Sequence, residues 1–215
     1  ELLEGWRGTI PGEAGPPSAF PLSAQPMLAR ALGVRSWSDG ADWLFGGAGN
    51  DSISGGSDRD VIIASAGEDD IDGGSERDLW DFSGFGAKAI TVNLATGLFA
   101  HPNLEDVQTF TSIEDVIGTD GADTITGGGA RNTLNGGEGA DTLSGGGGAD
   151  LITGGAGADW MASGNGPDRF IYSAITDSGT KAAARDRIAD FTVDAAAANR
   201  FIDRIDVSNL DAKAG

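Results

Sequence analysis

Large apolar residues recur singly at every ninth position through two long stretches of the chain. From Trp37 to Asp81 they are Leu44, Ile53, Ile62, Ile71 and Trp80; from Gly118 to Ile171 they are Ile125, Leu134, Leu143, Ile152, Met161 and Phe170. A spacing of nine matches neither the 3.6-residue period of a helix nor unbroken strand alternation. Between the apolar positions lie six-residue turns, clearest in Gly136–Ala162, where three consecutive nonapeptides share Gly-Gly-x-Gly-x-Asp-x-U-x, with U large and apolar. Glycines at the first, second and fourth positions let six residues turn tightly. The three residues that follow form a strand, and only the middle one points inward. Successive nonapeptides then lie on opposite sides of a flattened coil with eighteen residues per turn. Loops eighteen apart stack at roughly the 4.8 Å spacing of paired strands. The predicted fold class is all-β, a parallel β-roll.

The remaining segments change that picture at its ends and its middle. Residues 1–36 hold most of the prolines and read as an irregular leader; Pro26–Gly33 predicts a short helix capping the open end of the coil. The roll covers 37–171, and residues 172–215 are a cap, expected to be truncated. Five nonapeptides run from Trp37 to Asp81 and six from Gly118 to Ile171. The intervening 82–117 lacks the motif but spans four times nine residues, which predicts two further turns in phase. Strand signals are Lys88–Leu94 and Ser112–Ile117 there, and Ile188–Phe191 and Phe201–Val207 in the cap. His101, the one histidine, is expected in an exposed loop.

Composition turns this repeat into chemistry. The net charge is −19, and 25 of the 33 acidic residues are Asp, a short side chain able to ligate a cation from a turn. The sixth positions are Asp42, Asp51, Asp60, Asp69 and Asp78, then Asp123, Asn132, Asp141, Asp150, Asp159 and Asp168. Stacked loops bring pairs of carboxylates together with backbone carbonyls, the oxygen shell that a hard Ca²⁺ ion prefers. Several ions are expected, with weaker sites in the first block, where Asp58 and Glu76 replace glycine at the fourth position. Asp177 and Asp186, eighteen beyond Asp159 and Asp168, are candidates to close the last cages. Nucleic acid would be repelled by such a surface. The chain has no cysteine, which excludes disulfides and thiolate metal sites. No apolar run is long enough for a membrane span, and Glu1–Arg7 does not open a cleaved signal peptide.

The chain resembles the RTX repeat region of proteins exported by bacterial type I secretion. Asp81-Phe-Ser-Gly, Thr91-Val-Asn-Leu, Ser112-Ile-Glu-Asp-Val-Ile-Gly118, Asp168-Arg-Phe-Ile-Tyr, Asp177-Ser-Gly, Arg185–Phe191 and Asp203–Ser208 are similar to the C-terminal β-roll of serralysin-type metalloproteases. The resemblance implies calcium sites in which one loop gives its second and fourth carbonyls and its Asp. The loop one turn later gives its first and third carbonyls and its own Asp. It pairs Gly47, Gly49 and Asp51 with Ala64, Ala66 and Asp69, and Gly56, Asp58 and Asp60 with Gly73, Ser75 and Asp78. It likewise pairs Thr119, Gly121 and Asp123 with Gly136, Glu138 and Asp141. Gly137, Gly139 and Asp141 face Gly154, Ala156 and Asp159, while Gly146, Gly148 and Asp150 face Ser163, Asn165 and Asp168. Gly145, Gly147, Gly155 and Gly157 complete these loops. Glu114 with the Ser112 carbonyl resembles a ligand pair for the loop ending at Asn132, and Asp115 is expected to point away from the cages.

The His-Glu-x-x-His zinc motif of that protease family is missing, so no catalysis is expected from this chain. The acidic pairs Asp69-Asp70, Glu105-Asp106 and Glu114-Asp115 could suggest a glycosidase dyad, but repeat ligation or surface charge explains them more simply. The expectation is a secreted, monomeric calcium-binding module that folds outside the cell, joined to a catalytic domain beyond this chain. A carbohydrate-binding accessory module, as in RTX-bearing alginate epimerases, is the alternative, with Trp43, Trp160 and Arg169 as candidate contacts.

Overall fold

The computed structural model describes residues 34–36, 40–101, 108–174, 176–179, 184–191 and 203–208. The helix expected over Pro26–Gly33 lies outside them. The strands are β1 (Val34–Ser36), β2 (Trp43–Phe45), β3 (Ser52–Ser54), β4 (Val61–Ile63), β5 (Asp70–Asp72), β6 (Leu79–Asp81), β7 (Thr91–Asn93), β8 (Leu98–Ala100), β9 (Thr109–Thr111) and β10 (Asp115–Ile117). They continue with β11 (Thr124–Thr126), β12 (Thr133–Gly139), β13 (Thr142–Ser144), β14 (Leu151–Gly157), β15 (Trp160–Ala162), β16 (Arg169–Ile171), β17 (Arg187–Ile188) and β18 (Arg204–Asp206). The chain divides into two compact units, one reaching to Trp80 and including Gln108–Ile113, the other holding Asp81–Val107 and the chain from Glu114 onward.

Odd and even nonapeptides separate onto two sheets in each unit, as eighteen residues per turn requires. In the first unit the orders are β1-β3-β5-β9 and β2-β4-β6. Trp43 pairs with Val61 and Ser52 with Asp70, both parallel. Leu44, Ile62 and Trp80 point inward from one sheet, and Ile53, Ile71 and Phe110 from the other. The Trp80 and Phe110 rings meet across the coil at 5.0 Å. In the second unit β10-β12-β14-β16-β18 faces β7-β11-β13-β15-β17. Leu134, Ile152 and Phe170 form one fully buried ladder, and Val92, Ile125 and Leu143 the other. The parallel β-roll is therefore the fold of both units.

Residues 82–117 do not supply two regular turns. β7 and β8 form an antiparallel hairpin, whose second strand cannot propagate a parallel coil. β7 joins β11 with Thr91 opposite Thr124, and β9 joins β5 with Asp70 opposite Thr109, so the spacings across this segment leave the multiple of eighteen. Aromatic bulk explains the departure. Phe82 stacks on Phe99 at 5.4 Å, and Phe85 meets the His101 ring edge-on at 6.0 Å. A glycine-rich six-residue turn has no room for such a cluster. His101 is accordingly buried rather than exposed; burial, then the charge of Lys88, lowers its pKa. Asp115 is fully buried, and its Oδ1 accepts the Thr133 N–H at 2.8 Å.

Candidate metal centre

Each six-residue turn places its Asp by backbone geometry. Gly137 and Gly139 have φ of +104° and +121°, angles that favour glycine. Gly136 has a steric reason instead. A Cβ there would meet Asp141 Oδ2 and the Gly154 carbonyl oxygen, so the empty position brings the carboxylate of one loop beside the first carbonyl of the next. Gly118, with Asp123 Oδ2 and the Gly136 carbonyl, and Gly145, with Asp150 Oδ2 and the Ser163 carbonyl, repeat this arrangement. Of the three non-glycine fourth positions, Asp58 at φ 73° and Glu76 at φ 78° adopt the same left-handed backbone, and Ala130 does not.

The two oxygens of each carboxylate have separate roles. Oδ1 accepts the backbone N–H of the sixth residue one turn earlier: Asp42 to Asp60 at 2.8 Å, Asp51 to Asp69 at 3.0 Å and Asp60 to Asp78 at 2.8 Å. In the second unit the bonds run from Asp123 to Asp141, Asn132 to Asp150 and Asp150 to Asp168, each 2.8 Å, and from Asp141 to Asp159 at 2.9 Å. Oδ2 of Asp51, Asp60, Asp141, Asp159 and Asp168 is buried with no hydrogen-bond partner. A buried carboxylate oxygen left in this state is costly, and five repetitions at one repeat position mark a place for a cation. Burial first, then the neighbouring carboxylates Asp159 and Asp123, push Asp141 up to about 7. Burial, then Asp186 and Asp177, raise Asp159 to about 6. Asp60, Asp123 and Asp168 are raised as well, chiefly by burial.

The carbonyls divide less simply. Those of Gly56 and Gly146, at second positions, accept the backbone N–H of Ser75 and Asn165 one turn on. Those of Ala66 and Asn165, at third positions, accept the N–H of Gly49 and Gly148. These bonds hold the loops in register and occupy one lone pair of each oxygen. Among the described residues no three His, Asp or Glu side chains converge on one point. A cation held here therefore takes its ligands from pairs of carboxylates and from backbone oxygens. That donor set suits calcium.

Some candidate positions depart from the common pattern. Asn132 turns its amide oxygen to the Gly128 N–H at 2.8 Å and donates from Nδ2 to the Glu114 carbonyl at 2.6 Å. Asp123 accepts the Thr119 N–H and hydroxyl and the Ile90 N–H, so its carboxylate is enclosed by donors. The Ser112 carbonyl lies against Gly73.

The cap rearranges the expected closures. Asp186 follows Asp159, not Asp168, as the next carboxylate of the ladder, accepting its N–H at 3.0 Å across 27 residues. Asp203, which the eighteen-residue count misses, accepts the Asp168 N–H at 3.1 Å across 35 residues. Asp177 instead closes its own turn, accepting the N–H groups of Ser173 and Ala174 at 2.7 and 2.8 Å. The signal for the true closers is local: Asp186-Arg-Ile188 and Asp203-Arg-Ile205 each repeat Asp-x-apolar at the start of a strand. Asp190 is also new, accepting the N–H groups of Ser163 and Gly164 at 2.7 and 2.9 Å.

The RTX calcium-binding nonapeptide repeat matches the chain in four copies, at residues 38–71, 45–79, 111–143 and 135–170. No curated protein matches it. The matched residues are those that form the stacked turns and their carboxylate ladder, and these two blocks belong to the RTX calcium-binding repeat family.

Proposed function

We propose that this chain is a calcium-triggered folding module of a protein exported by type I secretion. On this reading the roll assembles outside the cell and stabilises a catalytic domain that lies beyond this chain. The observation that carries the proposal is the set of buried Oδ2 oxygens without partners, aligned one turn apart. Bound calcium would supply the positive charge and oxygen coordination that these carboxylates otherwise lack. Asp51, Asp60, Asp141, Asp159 and Asp168 would hold it, with first-position carbonyls such as that of Gly154. Without it, the ladder stacks negative charges in a fold that buries one large side chain per nine residues. Such a chain stays loose where calcium is scarce and folds where it approaches millimolar. The segments similar to serralysin-type β-rolls support a secreted hydrolase as the parent protein. His101, buried against Phe85, supports assigning no catalysis to this chain.

Far-ultraviolet circular dichroism with chelator, and then with millimolar calcium, tests the proposal. Strand signal and a cooperative melt should require calcium, and magnesium should substitute poorly because it demands small octahedral cages. A chelated sample that keeps both would sink it.

The glycan-binding alternative has two of its candidate contacts, Trp160 and Arg169, on different sheets. Trp160 is 42% exposed on β15 beside Thr142 and Arg187, but Arg169 stands on β16 in the opposite sheet. Trp43 belongs to the other unit. Calorimetry against oligosaccharides separates the two readings.

A further inference from the structure

One rung of the first unit departs from all the others. The loop of Asp69 is followed on its sheet by β9, and the residue entering β9 in the Asp slot is Gln108. Gln108 is 3% exposed. Its Nε2 donates to the carbonyls of Ser65 and Gly67, each at 3.2 Å. These are the second- and fourth-position carbonyls of the loop, the same pair that the calcium scheme takes from each upstream loop. The third ligand of that scheme is also engaged, since the Ser65 hydroxyl donates to Asp69 Oδ2 at 2.9 Å. The corresponding oxygen of Asp51, Asp60 and Asp141 has no partner. Every oxygen that this loop would offer downstream is thus met by a donor on a side chain. The Gln108 Oε1, buried and without a hydrogen-bond partner, is a single neutral oxygen and a poor basis for a cation shell.

We infer that the Gln108 side-chain amide takes the place of a calcium ion and closes this rung without metal. An amide supplies two N–H donors where an ion would supply positive charge, so the two carbonyls are satisfied whatever the calcium concentration. The Ser65 hydroxyl does the same for Asp69. The last rung of the first unit is then a fixed, calcium-independent closure on a ladder whose other rungs respond to the ion. It rests on the reading of those other rungs as calcium sites.

The test uses the whole 215-residue chain and counts bound calcium by native mass spectrometry and calorimetry. Gln108→Met keeps the length of the side chain but removes both donors. It should leave the ion count unchanged and lower the melting temperature of the calcium-loaded chain. Gln108→Glu sets a carboxylate against two carbonyls. It should bind one ion more than the parent chain, and its melting temperature should rise more steeply with calcium concentration. A Gln108→Met chain that loses an ion shows Gln108 to be a ligand and overturns the inference. So does a folded Gln108→Glu chain that gains none. If Gln108→Glu does not fold, the Gln108→Met count decides alone. A parent chain that binds no calcium at all would instead overturn the reading of the other rungs.

Discussion

The backbone N–H of Asp141 donates to Oδ1 of Asp159, 2.9 Å away and eighteen residues later in the chain. Asp141 Oδ1 meanwhile accepts the Asp123 N–H at 2.8 Å, so this residue joins the turns on both sides. Asp141→Ala removes an acceptor from a buried N–H, a loss of about 1–3 kcal/mol, together with a charged ligand. Asp141→Asn keeps an oxygen acceptor and removes only the charge. In chelator, Asp141→Asn should keep more strand signal than the parent chain, because the repulsion from Asp123 and Asp159 disappears. In calcium titrations both variants should shift the folding midpoint upward. Glu138→Gln, on an exposed side chain of the same loop, should barely move it. Equal midpoint shifts in all three variants, followed by tryptophan fluorescence, would refute the stacking register.

Acidity should act in opposite directions on the free and loaded chains. Asp141 and Asp159 are raised to about 7 and about 6, so each holds its proton more tightly folded than unfolded. For the calcium-free chain that contribution is complete below the ordinary Asp value of about 3.9 and is lost as pH rises through about 6 and then about 7. The residual strand signal in chelator should therefore fall between about pH 5 and pH 8. With calcium present the order reverses, because protons compete for the same oxygens. A chelated strand signal that climbs over this range contradicts the assignment.

Glycines within one turn should differ sharply in tolerance. Gly136→Ala drives a methyl group into Asp141 Oδ2 and the Gly154 carbonyl, whereas a Cβ at Gly129 meets nothing within 4 Å. The first substitution should abolish calcium-induced folding in the second unit. Gly129→Ala should leave the calcium midpoint unchanged. Circular dichroism titrations of the pair provide the measurement.

Glu76 offers a route to a more stable chain. A non-glycine residue in left-handed geometry costs about 1–2 kcal/mol, and Glu76 sits at φ 78°. Glu76→Gly should raise stability at saturating calcium by about 1 kcal/mol. Asp58→Gly should give less, because Asp58 Oδ2 accepts the Gly40 N–H at 3.2 Å. Urea melts of both variants would expose an error in either sign.

The register linking Asp123, Asp141 and Asp159 is legible in the sequence because glycine, aspartate and one apolar residue each answer a separate requirement of the turn. Where those requirements are met by other means, the sequence is less transparent. The Phe82–Phe99 stack replaces the turn motif with aromatic packing, so counting in nines does not reveal the β7–β8 hairpin. Asp203 reaches Asp168 after a connection whose length follows no repeat. Gln108 is hidden for the same reason, since 39 residues separate it from Asp69 and nothing in that distance marks it as the next rung. His101 owes its burial to neighbours such as Phe85, brought in by this irregular segment.

The carboxylate ladder also has a direction. The sixth-position N–H groups of Asp42, Asp51 and Asp60, and all six from Asp123 to Asp168, are capped by an oxygen that comes later in the chain. A chain appearing amino end first always exposes an amide whose cap has not yet emerged. A chain appearing carboxyl end first delivers Asp203 and Asp186 before the residues they cap, and each new turn finds its acceptor waiting. The sixth-residue carbonyls run the other way, since those of Asp42, Asp60 and Asp123 accept the N–H groups of Val61, Leu79 and Thr142 one turn later, so the order in which residues meet solvent decides which set of partners is waiting.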